Sequence, residues 1–216
     1  MLLSTAFFPP ISWFAAAASL KEDAGAVFIE ACENYQKQSY RNRCIIAAAG
    51  GPESINVPVA HEGDIYRLPI RDIKVDYSTP WVRKAEKAID SAYESSPYFE
   101  YYRDDLFDIL DTAPETLWEL NLSLIMFFVE KTGLGVSFRP TEYFSAPGQG
   151  PYGEDLRGSI HPKRPDTVLS RLGLKKPYFQ VFAGKYGFLE NLSIMDLLFC
   201  EGPESLLYLT RTSTQG

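Results

Sequence analysis

The hydrophobic pattern divides this 216-residue chain into a strand-like first third and a largely helical remainder. Leu2 to Phe8 is an apolar run of the buried-strand kind, stopped by Pro9-Pro10; Ile11 to about Leu20 then reads as a helix. Residues 26–32 (AVFIEAC) form a second short apolar run. Residues 43–49 and 54–60 form two more, with Gly50-Gly51-Pro52-Glu53 between them as a hairpin turn. Leu68, Ile70, Ile73 and Val75 predict a further strand over 68–76, broken in phase between Ile70 and Ile73. Pro58 and Pro69 push their strands toward a sheet edge or a strand end, because proline has no N–H to give to a ladder.

The period then changes to that of a helix. Thr79-Pro80 and Ser96-Pro97 each read as N-cap and first helical residue. Trp81, Ala85, Ala88, Ile89 and Ala92 share one face of the first helix, and Phe99, Tyr102, Leu106, Ile109 and Leu110 share one face of the second. A third follows Pro114, carries Leu117, Leu120, Leu124, Phe127 and Phe128 on its core side, and ends at Gly133. Residues 141–166 hold four prolines and four glycines, and a loop that long inside a compact domain usually serves function or is disordered. YFQVFA at 178–183 predicts a strand. Ser193 then caps a helix, with Asp196 in the capping-box position and Gly202 closing it. The sum is one α+β (mixed α/β) domain over 1–216, its strand-rich N-terminal third packed against a helical middle and C-terminal part.

Composition adds limits rather than chemistry. With 45% hydrophobic and 23% charged residues the chain is ordinary globular protein. No stretch of 18 apolar residues predicts a membrane span. Residues 1–19 lack the basic start of a secretory signal and contain two prolines, so they read as strand and helix, and the expected location is the cytoplasm. Cys32, Cys44 and Cys200 are too few and too scattered for a disulfide framework or a zinc site; reduced, buried thiols are expected. A net charge of −7 argues against a nucleic-acid surface.

The charge is uneven, however. Between 157 and 185 stand seven basic residues against one acid, Asp166, and between 34 and 52 Lys37, Arg41 and Arg43 face no acid. Such islands in an acidic protein suit an anionic small molecule, since Arg forks grip phosphate or carboxylate and Lys adds a point charge. Lys163 and Arg164 flank His161, whose imidazole has the right pKa to act as a general base; a solvated surface loop is the competing reading. His61, in His61-Glu62-Gly63-Asp64, reads as a turn residue. Phosphate-binding glycine loops, nucleophile elbows and metal-ligand spacings are all absent, so no metal is expected and no cofactor is indicated.

Several segments in this order resemble the WbqC-like protein family: LLSTAFFPPISWF at 2–14, VFIEACENYQKQSYRNR at 27–43, NVPV at 56–59, TPWVRKAEKAID at 79–90, YESSPYFEYY at 93–102 and FQVFAGKYGFLENLSIMDLLFCEGP at 179–203. Where members often carry Gln-Pro near the start, this chain has Ser4-Thr5. The resemblance implies a part in bacterial surface-polysaccharide (O-antigen) biosynthesis, with transfer of an acyl, aminoacyl or sugar group from an activated donor such as a nucleotide sugar. It singles out Gln36, Lys37, Arg41, Asn42, Arg43, Asn191, Ser193 and Asp196, the last two of which also have a helix-capping explanation. Three classes stay open: a transferase with His161 as base, a non-catalytic binding or scaffold protein, and a nucleotidyltransferase-like protein. The third lacks any His-x-x-His after its first strand.

Overall fold

A computed structural model describes residues 1–20, 26–61, 63–174 and 176–210. Glu62 and Lys175, both counted above, lie outside the described residues. The fold is mixed α and β, with strands concentrated in the N-terminal part and helices after them.

A short parallel sheet sits at its centre. β1 (Leu2–Ser4) and β2 (Val27–Glu30) pair in parallel, joined across α1 (Ile11–Ala18), and β5 (Phe138–Pro140) adds to the other side of β2. Leu2 is also held from beyond the sheet: its N–H donates to the Glu154 carbonyl, and the Leu156 N–H donates to its own carbonyl. β3 (Arg43–Ala48) and β4 (Gly51–Asn56) form a separate antiparallel hairpin.

α1 explains its own sequence. ISWFAAAA has no polar face, and from Ile11 to Ala17 every residue is buried. A helix apolar all round belongs inside, and this one is enclosed by α5 (Val168–Leu172), α7 (Ile194–Glu201) and α8 (Ser205–Thr210). Trp13 ties it to the sheet, donating from Nε1 to the Ser4 carbonyl at 2.9 Å and stacking on Phe138 at 5.6 Å. The amphipathic pair α2 (Trp81–Tyr93) and α3 (Phe99–Asp111) covers the hairpin and α7, and α4 (Leu117–Thr132) runs beneath, its Phe128 edge-on to Phe8 and Phe14. α4 starts in a full Thr116–Glu119 capping box and ends at a left-handed Gly133.

Several expected elements differ. β1 stops at Ser4 rather than Phe8: the Phe7 N–H turns to the Tyr40 carbonyl, and Phe8 takes a φ of +43° ahead of Pro9. The hairpin turn is two residues, Ala49-Gly50, so Gly51 and Pro52 belong to β4, opposite Ala48 and Ala47. The 68–76 strand is absent. Two 3-10 turns, Ile65–Arg67 and Ile70–Asp72, replace it, burying Ile70 and Ile73 three residues apart on one side, which is what the broken phase reflected. Neither Pro80 nor Pro97 occupies the first helical position; Pro80 and Tyr98 are the N-caps. YFQVFA is irregular chain leading into a short helix, α6 (Ala183–Tyr186), because its side chains are tied to α7 instead of to a strand.

Gly202 ends α7 at φ +54° and ψ −126°, where a Cβ would meet the Tyr98 ring at 2.6 Å. Gly202→Ala is therefore expected to cost about 1–3 kcal/mol through strain and overlap together. Thermal denaturation would read this as a lowered midpoint, and an unchanged midpoint would mean that Tyr98 moves aside freely.

Candidate functional site: a cleft at the strand ends

Parallel strands leave their carboxyl ends open to a ligand, because the chain must depart there toward the next element. In this fold the ends are Ser4, Glu30 and Pro140. Over them lie the irregular segment 31–39 and the long loop 141–166, and between the two is a cleft of about 900 Å³.

Two buried arginines support it: Arg157 lines the cleft, and Arg41 holds the lining residue Glu33. Glu30 is fully buried; one carboxylate oxygen accepts from the Cys32 N–H (2.9 Å) and the Thr141 hydroxyl (2.7 Å), the other from Arg157 Nη1 (2.7 Å). The remaining edge of Arg157 grips Asp155 through Nε (2.9 Å) and Nη2 (2.6 Å). That grip holds the Asp155 carboxyl below its usual range. Arg41, the second, donates from Nε and Nη2 to Glu33 at 2.8 and 2.5 Å, and from Nη2 to the Ser4 hydroxyl at 2.8 Å. Each buried guanidinium therefore faces its own carboxylate, the arrangement that makes burial of such charges tolerable.

The cations nearer solvent are different. Among the described residues, Lys37, Arg43, Lys163 and Arg164 have no carboxylate within ion-pair distance. The Arg164 side chain donates to the Gly158 carbonyl, and the Lys163 side chain to that of Gln38. The Lys163–Gln38 bond brings the two basic segments of the sequence together in space. Lys185 makes a second link, to the Ala49 carbonyl at 2.9 Å.

His161 stands on the loop side of the cleft. Its pKa is lowered, first by burial and then by the positive charges of Arg164, Arg41, Lys163 and Arg43, so the ring is neutral at neutral pH. Its Nδ1 accepts from the Lys163 N–H at 3.1 Å, which places the ring's one proton on Nε2. Opposite lie Gln36 and Cys32. Cys32 is half-buried at the cleft, unlike the fully buried Cys44 and Cys200. Burial pushes the Cys44 and Cys200 thiols up, toward the protonated form.

The other expected residues divide. Lys37, Asn42 and Arg43 line a second, smaller cleft of about 420 Å³. Tyr35 and Tyr66 border both spaces, their rings 6.3 Å apart and 22° from parallel. Asn191 lies elsewhere, its side-chain oxygen accepting from the Ser12 N–H at the start of α1. Asp196, in the first turn of α7, is fully buried. It accepts from the Tyr178 hydroxyl and from Gln180 Nε2 (2.8 Å), so the expected capping box does not form; the Ser193 N–H goes to the Ile45 carbonyl. Ser193 does cap α7, accepting from the Met195 N–H at 3.3 Å.

The stretch from α1 to β5, which carries Glu30, Glu33 and Arg41, falls within the match to one sequence family. The model of the WbqC-like protein family matches residues 5–152. The chain belongs to that family. No curated protein and no solved structure matches it. Within the WbqC-like span lie Glu30, Glu33, Gln36, Lys37, Arg41, Asn42 and Arg43, whereas His161, Lys163, Arg164, Asn191 and Asp196 follow it. No described set of three His, Cys, Asp or Glu side chains converges to hold a metal ion, and no described helix is long and apolar enough to cross a membrane.

Tyr66, Glu30, Glu33 and the cleft position of Cys32 were not singled out from the sequence. The signal available for the two acids was glutamate within and just after an apolar run, VFIEACE, where a carboxylate has reason to stand only if a cation answers it.

Proposed function

We propose that this chain is a transferase acting on an activated, anionic donor, in bacterial surface-polysaccharide biosynthesis, with the cleft at the carboxyl ends of β1 and β2 as its active site. The observation that carries the reading is the contrast among its cations. Arg41 and Arg157 are matched by buried carboxylates, while Arg164 lines the cleft unmatched beside a neutral histidine, with the unmatched Lys163 next to it in the chain. Unmatched cations at a cleft that size favour binding of a phosphate or carboxylate. The link to polysaccharide and to acyl, aminoacyl or sugar transfer comes from the family resemblance.

The hydrogen bonding of His161 bears on its role. With Nδ1 held by the Lys163 amide, the neutral ring offers a proton from Nε2. It is suited to polarise a carbonyl by donating a hydrogen bond; service as a base requires that the Lys163 bond open first.

The test is a thermal-shift and turnover screen of nucleotide sugars, acyl-coenzyme A esters and amino acids. The expected result is a stabilising shift with one donor class that is lost in Arg164→Ala, because a ligand bound only by the native state raises the midpoint by mass action. His161→Ala is expected to keep the shift and lose turnover by about 100-fold or more. Unchanged turnover in His161→Ala would remove its catalytic role. A shift with no turnover under any condition would move the reading to a non-catalytic binding protein.

A further inference from the structure

The second cleft carries an inference of its own. It shares Tyr35 and Tyr66 with the His161 cleft and has a volume of about 420 Å³, within the range of small-molecule sites, roughly 300–1,000 Å³. One wall is rigid, because Arg43 and Asn56 face each other in register at the open end of the β3–β4 hairpin.

Three features of that wall are unexplained by the fold. Arg43 Nε is buried without a hydrogen-bond partner, and Arg43 has no carboxylate within reach among the described residues. Asn42 Oδ1, on the neighbouring residue, is likewise buried and unpartnered. Its amide orientation is fixed, since Nδ2 donates to the Val57 carbonyl at 3.0 Å. A buried guanidinium N–H and a buried amide oxygen left unpaired both cost stability, and both residues line this cleft, so a molecule entering it is the partner sought for them. That molecule needs an anionic acceptor for Arg43 and an O–H or N–H donor for Asn42. Inorganic phosphate offers both through its oxygens and its P–OH but reaches no aromatic face of the cleft. A phosphate ester on a hydroxylated or N–H-bearing ring supplies both.

The aromatic pair provides the place for such a ring. Tyr35 is almost wholly buried and backs Tyr66, which is 46% exposed and presents its ring at the boundary of the two clefts. A backed, half-exposed aromatic face is a stacking surface for a nucleobase or for the apolar face of a sugar. Lys37 and His61 lie on the same cleft. Its lining carboxylate, Asp76, is held below its usual pKa first by the Ser78 side chain and then by the Ser78 N–H, 2.8 Å away, and it forms no ion pair with Arg43.

We infer that this cleft is a subsite for a ring-bearing phosphate ester, a nucleotide or a sugar phosphate, with Arg43 and Lys37 on the phosphate, Asn42 on a ring hydroxyl or N–H, and Tyr66 stacked against the ring. The inference deepens the proposed function, on which it rests for the reacting end of the ligand: the ring lies at the Tyr66 boundary, so the group to be transferred reaches into the His161 cleft. The two spaces are then the two halves of one donor site.

Isothermal titration of the full chain with uridine diphosphate, glucose 1-phosphate and inorganic phosphate tests this. At least one ring-bearing probe is expected to bind about tenfold or more tighter than inorganic phosphate, and the tighter of the two identifies nucleotide or sugar phosphate as the source. Arg43→Gln and Tyr66→Ala are each expected to weaken that probe by about fivefold to tenfold or more. Lys37→Gln, at an exposed site where folding is not in question, is expected to weaken it by about threefold and to steepen less with salt. Affinities within twofold of wild type in all three variants, equal binding of inorganic phosphate, or no binding of any probe would each overturn the inference. Arg164→Ala separates the two readings. Loss of binding in Arg164→Ala with none in Arg43→Gln or Tyr66→Ala overturns the subsite and leaves the His161 cleft standing. The reverse pattern keeps the subsite and counts against the larger cleft as the place where the donor is held.

Discussion

Arg157→Met is expected to lower the unfolding free energy by about 3–5 kcal/mol, the largest effect of any single substitution considered for this chain. Glu30 is fully buried, and Arg157 is the cation that answers it; Thr141 and the Cys32 amide alone would be left to hold the carboxylate. The penalty comes from the stranded charge more than from the lost bond, so it has a signature. Glu30→Gln combined with Arg157→Met is expected to recover much of the loss, because two neutral groups of similar size need no compensation. For a chain of this length the single variant's melting midpoint falls on the order of 10 °C. Denaturant unfolding of both variants gives the answer, and a double variant as unstable as the single would mean that Arg157 acts by holding the 141–166 loop through Asp155. Either way the cleft depends on this residue, since it joins that loop to the end of β2.

Asp196→Asn is expected to act in the opposite direction, raising stability above pH 6 by about 1–3 kcal/mol. Burial pushes the Asp196 carboxyl up from 3.8 to about 6, against the opposing hydrogen bonds from Tyr178 and Gln180. The sign follows. An acid whose folded pKa is raised carries no penalty below about pH 4, where it is protonated in both states. The penalty grows between about 4 and 6 and stays constant above, because there the folded state must bury a charge that the unfolded chain leaves in water. Asparagine keeps an acceptor for Tyr178 and Gln180. It also turns an N–H toward the position of Oδ1, which has no partner now, and the Tyr93 hydroxyl nearby is equally unpartnered. Wild type and variant should thus be closest in stability near pH 4 and diverge up to pH 6 in denaturant titrations. A variant less stable than wild type at pH 8 would show that the carboxylate's hydrogen bonds outweigh its desolvation.

What the sequence revealed depended on the range over which each signal acts. α2, α3 and α4 were legible because a 3.6-residue period and an end signal are local: Trp81 to Ala92 and Leu117 to Phe128 show their buried face without reference to anything else. β5 was not legible. Phe138–Pro140 is a strand only because β2, more than 100 residues earlier, offers it a free edge. Ile70 and Ile73 failed for a related reason: a 3-10 turn and a strand with a slipped phase leave the same trace of apolar residues.

The charged residues show the same limit. Arg41 and Arg157 entered the basic islands as surplus charge, yet their partners Glu33 and Asp155 lie just outside the windows over which charge was counted. Arg171 similarly meets Glu154. Once those are removed, Lys37, Arg43 and Arg164 are the described cations of the two basic segments that line a cleft without a carboxylate partner. Lys163 beside Gln38 and His161 in the field of Arg43 are products of loop placement, which no spacing in the sequence encodes.

The attachment of Leu2 to Glu154 and Leu156 has a consequence for how the chain is made. β1 is made long before residue 156, and until that residue has followed one of its two edges has no partner. At about 5–20 residues per second the interval is on the order of ten seconds. Throughout it, LLSTAFFPPISWF, most of which is buried in the finished fold, has only part of its surroundings. Synthesis of this protein should therefore be most vulnerable to self-association early, and slowing translation before residue 156 should lower the yield of folded chain more than slowing it afterwards.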